Sequence, residues 1–119
     1  MTRLSRPVVW VRAALKDFEK FPAQAQDDIR FALTVAAEGG KSGLAKPLRG
    51  LGSGVFEVAL AHRGDAFRVI YVVQLVDELW VVHAFQKKST KGIKTPKHEI
   101  DLIADRVKRL KQMLKEHST

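Results

Sequence analysis

An arginine inside a run of apolar residues is the first feature of this sequence that could do chemistry. Arg68 lies within an apolar stretch, residues 67–74, and Lys87 and Lys88 directly follow the next apolar run. A guanidinium in such surroundings loses part of its hydration, so it needs a counter-charge or an anionic ligand. Two interpretations are open. Arg68 could form an internal ion pair with Glu57, or it could clamp a phosphate through two parallel hydrogen bonds.

Further cations lie on polar segments that border the apolar runs. Segment 41–54 contains four of the eight glycines and carries Lys46 and Arg49, and segment 86–94 is rich in lysine. Basic side chains beside a sheet can hold phosphate groups, and solvated side chains without a ligand are the alternative. The glycines do not predict a nucleotide-binding loop, because Gly-Ser-Gly at 52–54 does not open a helix.

Several other kinds of chemistry lack the residues that they need. The sequence has no cysteine, and its four histidines do not show the spacing of metal ligands. No serine has the context of a nucleophile elbow. Glu57 has no carboxylate partner on its own face of the strand for glycoside chemistry. We therefore predict neither a metal site nor a cofactor, and we interpret His83, in the middle of an apolar run, as structural.

The net charge of +8 is concentrated near the end of the chain. Residues 87–119 carry 10 basic and 4 acidic side chains, whereas residues 1–86 carry 11 and 9. A local basic surface favours a polyanion or an acidic protein as partner, and a solvated helix face is the alternative. The length of 119 residues predicts one domain, residues 1–119. No segment has the length of a membrane span or a signal peptide, so we predict a cytoplasmic protein without membrane contact.

Apolar spacing predicts an α+β fold with the order β-α-α-β-β-β-α. Three strands joined by short turns form an antiparallel meander, packed against two N-terminal helices or one broken helix. The last helix is amphipathic and basic, with Thr95 as its N-cap and Pro96 as its first residue. The predicted strands are 7–12, 55–61, 67–74 and 79–85, and the helices are 13–21, a segment from Pro22 to Gly39, and a segment from Pro96 onward.

Five segments in the same order resemble the RelE/ParE superfamily of bacterial toxins from type II toxin–antitoxin modules. They are FP at 21–22, PLRGLGSGVFEV at 47–58, FRVIYVV at 67–73, HAFQKKSTK at 83–91 and TPKHEIDLIADRVKR at 95–109. The segment that starts with HAFQKK is the most specific, and the chain is most similar to the HigB-like, phage-derived branch.

The resemblance implies a small RelE-like fold and ribosome-dependent endonuclease activity on mRNA. In such toxins the ribose 2′-hydroxyl attacks the adjacent phosphate without a metal ion, and the product is a 2′,3′-cyclic phosphate. The implied partners are the ribosome, mRNA and a cognate antitoxin, typically of the helix-turn-helix type, in an oligomeric complex. The alternatives are a ParE-like inhibitor of DNA gyrase and a binding module for the antitoxin that has lost catalysis.

The resemblance also implies roles for individual residues. Arg68 would hold the scissile phosphate, Lys87 or Lys88 would stabilise the transition state, and Glu57 would act as the base. His83 and His98 are alternatives for proton transfer, because the HigB-like branch tends to use histidine and acidic residues. RelE has lysines where this chain has Glu57, and it uses a C-terminal tyrosine where the one tyrosine here lies inside a strand. The residues implied to bind RNA or the ribosome are Lys46, Arg49, Lys91 and Lys94.

Overall fold

The computed structural model describes residues 5–75, 77–88 and 94–117. Its elements are β1 (Val8–Trp10), α1 (Arg12–Phe18), α2 (Ala23–Ala37), β2 (Ala45–Pro47), β3 (Val55–His62), β4 (Asp65–Leu75), β5 (Glu78–Lys87) and α3 (Lys97–His117). The predicted α+β class and the predicted order are confirmed, with β2 as an additional strand. None of the helices in the described residues is long and apolar enough to cross a membrane.

The strands form one five-stranded sheet in the order β1-β5-β4-β3-β2. The meander of β3, β4 and β5 is antiparallel, as predicted, and β1 joins the free side of β5 in parallel. Between β3 and β4 the two turn residues, Arg63 and Gly64, have φ values of 51° and 86°. Positive φ at both positions is the signature of a tight hairpin turn whose twist matches its strands.

Strand β2 is a correction to the sequence analysis, which interpreted all of segment 41–54 as a loop. Ala45–Pro47 pairs antiparallel with β3, and Lys46 lies opposite Glu57. The N–H of Leu48 then donates to the carbonyl of Val55, which extends the pairing by one bond. This pairing fixes the position of Lys46 relative to the sheet, which a flexible loop would not do.

The sheet separates two hydrophobic clusters. Side chains alternate between the faces of a strand, so Phe67, Val69 and Tyr71 point to one side of β4. They pack there with α1 and α2, which are two helices rather than one broken helix. Ile70 and Val72 point to the other side, where the smaller cluster includes three residues of α3: Ile103, Val107 and Leu110.

The start of α3 differs from the prediction by one residue. The first helical residue is Lys97, and the N–H of Ile100 donates to the carbonyl of Pro96. Pro96 therefore occupies the capping position that was predicted for Thr95. The hydroxyl of Thr95 is directed to the sheet instead.

Candidate nucleic-acid interface

Three buried polar residues lie on the face of the sheet that α3 covers. Glu57, Arg68 and His83 are 1%, 5% and 3% exposed, and within the described part of the chain they are the buried residues with charged or titratable side chains apart from Tyr71. Ile70 of β4 pairs with Glu57 of β3 on one side and with His83 of β5 on the other, so these three residues form one row across the sheet. Burial of such groups is costly unless each one has a partner.

Glu57 and Arg68 form an ion pair on this face. Arg68 lies opposite Ala59, two residues from the partner of Glu57, so the two side chains are diagonal neighbours. The Nη1 atom of Arg68 is 3.6 Å from the Oε2 atom of Glu57. Of the two interpretations of Arg68, the internal ion pair is therefore observed, and the role of Arg68 as a phosphate clamp stays a prediction.

A third residue, Thr95, bridges the pair. Its hydroxyl donates to Oε2 of Glu57 at 2.6 Å and accepts a hydrogen bond from Nη1 of Arg68 at 3.1 Å. The shorter distance is typical of a hydroxyl bound to an ionised carboxylate. The Nε atom of Arg68 is buried without a hydrogen-bond partner. The guanidinium thus does not form the two-pronged pair with Glu57 that its shape allows.

A cleft with a volume of about 560 Å³ lies above this group of residues. Its wall contains three cations from three different segments: Lys46 of β2, Arg49 just after β2, and Lys94 ahead of α3. Glu57 and Thr95 also line it, together with the apolar residues Pro47, Leu48 and Ile100. The structure therefore brings together Glu57 and three of the four residues that were predicted to bind RNA. The cations make the cleft attractive to an anion.

The remaining predicted residues lie elsewhere or outside the description. Lys87 pairs with Ala66 at the end of β5 and is half-buried, and Lys88 follows it and is exposed. The described residues that line the cleft include neither of them. Lys91 lies outside the described residues. The catalytic role predicted for Lys87 and Lys88 thus stays a prediction without a place in the cleft.

A second polar cluster surrounds His83. Its Nε2 atom is 2.8 Å from Oε1 of Glu99, and its Nδ1 atom is 2.9 Å from Nη1 of Arg106, which also donates to the carbonyl of Val82 at 3.0 Å. Arginine can only donate, so Nδ1 accepts and Nε2 carries the proton that Glu99 accepts. Burial lowers the pKa of His83, and the bond with Glu99 opposes that shift. Both ring nitrogens are occupied, which agrees with the structural interpretation of His83.

For two polar residues on α3, the sequence spacing alone predicts that they face the sheet. Glu99 and Arg106 are seven residues apart, with Ile103 between them at positions that share one helix face. Charged residues within an apolar stripe indicate polar partners in the facing sheet. His98, in contrast, has a side chain that is 80% exposed and lies 3.8 Å from Glu99, away from the cleft lining.

The described residues contain no group of three or more histidine, acidic or cysteine side chains that could hold a metal ion. The charged groups of the cleft are thus one carboxylate and three cations, with Arg68 beneath them. Such a set can bind a phosphate chain and accept a proton beside it.

The family described as phage derived protein Gp49-like (DUF891) matches residues 16–108. The chain belongs to this family. The phage-derived branch that the sequence indicated is therefore confirmed. A search of curated protein sequences finds no match.

Solved structures confirm the RelE-like fold. A free double-arginine mutant of the Escherichia coli toxin RelE matches with a TM-score of 0.62 and 15% identity, over 89% of this chain and 98% of that chain. The isolated E. coli RelE toxin matches with a TM-score of 0.58 and 17% identity, over 89% of this chain and 99% of that chain. At these identities the similarity concerns the fold, so the function has to be argued from the site.

Proposed function

We propose that this protein is the toxin of a type II toxin–antitoxin module and that it cleaves mRNA on the ribosome. The observation that carries the proposal is the cleft that Lys46, Arg49 and Lys94 line together with Glu57. The RelE-like fold and the resemblance of the motifs support it, because the two solved structures described above are both of a toxin. The cytoplasm, where ribosomes and mRNA are found, would be its place of action.

Binding of RNA would rest on the three cations of the cleft. Lys46 is held on a paired strand, whereas Lys94 lies three residues before the start of α3. Contacts with phosphates fix the position of a strand without reading its sequence. The apolar residues Leu48 and Ile100 offer a surface for a sugar or a base between the phosphates.

Cleavage would begin with transfer of the 2′-hydroxyl proton to Glu57. The 2′-oxygen forms a bond to the adjacent phosphorus, and the bond from phosphorus to the 5′-oxygen breaks. The departing 5′-oxygen takes a proton from water, which leaves a 2′,3′-cyclic phosphate and a 5′-hydroxyl. Arg68, 3.6 Å from Glu57, compensates the buried negative charge of the base. We assign stabilisation of the phosphorane to Lys94, which lines the cleft beside Glu57, and contact with the ribosome to Lys87 and Lys88.

The proposed partner is a cognate antitoxin, of the helix-turn-helix type in this branch. The excess of basic residues after position 86 offers it a surface that an acidic protein would complement. Co-expression with a small protein encoded beside this one should yield an oligomeric complex and relieve growth arrest. A neighbouring protein that neither binds the toxin nor restores growth would speak against the pairing.

One observation favours a second candidate, a binding module without catalysis. Glu57 and Arg68 satisfy each other's charge, and both are almost fully buried. A pair of this kind can also serve only to fix the fold. This candidate predicts antitoxin binding and intact transcripts.

Variants of the cleft test the proposal. Lys46→Ala/Arg49→Ala removes two exposed cations of the cleft and should leave stability within about 0.5 kcal/mol, as is usual for surface substitutions. We expect induced wild-type protein to stop growth and to cut transcripts within translated frames, and the double variant to lose most cutting. The control, Arg12→Ala/Lys16→Ala, removes the same two residue types from α1 and should keep full activity.

Two outcomes would overturn the proposal in different ways. Intact mRNA with accumulated DNA breaks during arrest would indicate a gyrase inhibitor. Equal loss of cutting in the cleft variant and in the α1 control would show that total charge, and not the cleft, governs RNA binding.

A further inference from the structure

The hydroxyl of Thr95 connects the lining of the cleft with the buried ion pair of Glu57 and Arg68. Thr95 precedes α3, and its hydroxyl both donates to Glu57 and accepts from Arg68. A hydroxyl has one proton to donate, so this one is committed to Oε2 of Glu57. Lys94, the adjacent residue, lines the same cleft. One side chain thus connects the segment that carries a cation with the buried ion pair.

The local sequence does not require this arrangement. Threonine ahead of a helix usually bonds to a free backbone N–H in the first turn. Here Pro96 takes the capping position, and Thr95 turns its hydroxyl toward β3 and β4. The first turn of α3 therefore forgoes a side-chain cap from Thr95. The gain is a bond to a carboxylate, which is stronger than a bond between neutral groups.

The geometry of Arg68 shows what the hydroxyl prevents. Guanidinium and carboxylate favour two parallel hydrogen bonds, yet Nη1 is 3.6 Å from Oε2 of Glu57 and Nε has no partner. The hydroxyl of Thr95 bridges the two groups, with bonds of 2.6 Å to Glu57 and 3.1 Å to Arg68. Without its hydroxyl, Arg68 would be free to close on Glu57 and to draw the carboxylate away from the cleft.

We propose that Thr95 is a positioning residue, whose hydroxyl holds Glu57 toward the cleft and fixes the segment of Lys94 above it. The proposal rests on the assignment of Glu57 as the base. It deepens that assignment, because the base would act only when the segment before α3 is docked on the sheet. Misplacement of a catalytic group by about 1 Å can lower a rate about 100-fold.

Two substitutions isolate the hydroxyl. Thr95→Val keeps the shape of the side chain and removes the hydroxyl, whereas Thr95→Ser keeps the hydroxyl and removes a methyl group. On ribosomes programmed with a defined mRNA, we expect Thr95→Val to lower kcat by about 100-fold with KM nearly unchanged. Thr95→Ser should recover most of kcat. The control is Thr34→Val, because Thr34 is an exposed residue of α2 whose hydroxyl bonds, among the described residues, only to the carbonyl of Arg30 in its own helix.

A second readout does not depend on activity. The NMR signal of the side-chain carboxyl carbon of Glu57 reports directly on the hydrogen bond from Thr95. This signal should move in Thr95→Val, stay near the wild-type position in Thr95→Ser, and stay unchanged in Thr34→Val. If Thr95→Val does not fold, Thr95→Ala replaces it in both measurements.

The outcomes separate this inference from the proposed function. A wild-type protein that cuts no RNA would overturn the nuclease proposal, and the carboxyl signal would then decide whether Thr95 positions Glu57. Wild-type kcat in Thr95→Val, or a loss in Thr95→Ser as large as in Thr95→Val, would overturn the positioning role. So would an unmoved Glu57 signal in Thr95→Val.

Discussion

Helices α1 and α2 cover one face of the sheet and helix α3 covers the other, and the two interfaces bury different kinds of residue. Under α1 and α2 the contacts are apolar and aromatic. The ring centroids of Phe18 and Phe21 are 5.6 Å apart, and those of Phe21 and Phe67 are 4.9 Å apart. Under α3, apolar contacts around Ile103 are joined by the ion pair of Glu57 and Arg68.

This difference separates stability from positioning. Apolar burial is favourable without directional requirements, so the face under α1 and α2 can supply stability through many interchangeable contacts. A buried ion pair adds little net stability, because the loss of hydration offsets the attraction. It does fix side chains in one arrangement. The face under α3 therefore suits a site in which the carboxylate of Glu57 must keep one orientation.

The largest effect should come from breaking the ion pair on one side only. Arg68→Met leaves the Glu57 carboxylate buried without its counter-charge, and we expect a loss of about 3–5 kcal/mol in the free energy of unfolding. Glu57→Met/Arg68→Met removes both charges and should recover most of that loss. Urea unfolding measures both variants. A double variant as unstable as Arg68→Met would show that the pair itself, and not the unpaired charge, carries the stability.

The difference between the faces was only partly visible in the sequence. Alternation in β4 placed Arg68 on one side and Phe67 on the other, and both assignments are confirmed. Strand β2 was missed because three residues, one of them proline, are too few to show alternation. Its pairing depends on β3, and the sequence around Lys46 does not contain that information.

Thr95 shows a second limit. The Thr-Pro pair predicts a helix start, and α3 does begin within two residues of it. The partner of the hydroxyl, however, depends on how the segment before α3 lies on β3 and β4, where it meets Glu57. Tertiary contacts of this kind override local preference. The sequence indicates three of the basic residues of the cleft, Lys46, Arg49 and Lys94, because they lie on polar segments that border apolar runs. That they line one cleft follows only from the fold.

A matched pair of substitutions sharpens the comparison of the two faces. Ile29 of α2 and Ile103 of α3 are both fully buried, and replacing either one by valine removes one methyl group. Each substitution should cost about 0.5–1.5 kcal/mol. In Ile29→Val, amide hydrogen exchange should rise throughout the protein. In Ile103→Val it should rise mainly within α3, because we expect α3 to open as a separate unit. The same uniform pattern in both variants would show that the two faces unfold together.

The smallest effect concerns pH and belongs to the polar cluster of His83. Burial lowers the pKa of His83 from its usual value of about 6.5, against the opposing influence of Glu99. Arg106 lowers this pKa further, and Asp17 of α1 raises it. In the unfolded chain the imidazole regains its ordinary pKa, so the unfolded state binds more protons below about pH 6.5. The stability associated with neutral His83 is therefore complete above that pH and falls as the pH drops toward the lowered pKa.

His83→Gln tests this dependence, because glutamine can donate to Glu99 and accept from Arg106 without titrating. We expect the free energy of unfolding of the wild type to fall relative to that of His83→Gln as the pH is lowered from about 7 to about 5. Urea unfolding at several pH values measures the difference. His98→Gln is the control, since that side chain is 80% exposed and should not change the dependence. A constant difference between the wild type and His83→Gln would mean that the imidazole exchanges its proton without a change in stability. The polar cluster of His83, Glu99 and Arg106 would then be open to water, unlike the apolar interface under α1 and α2.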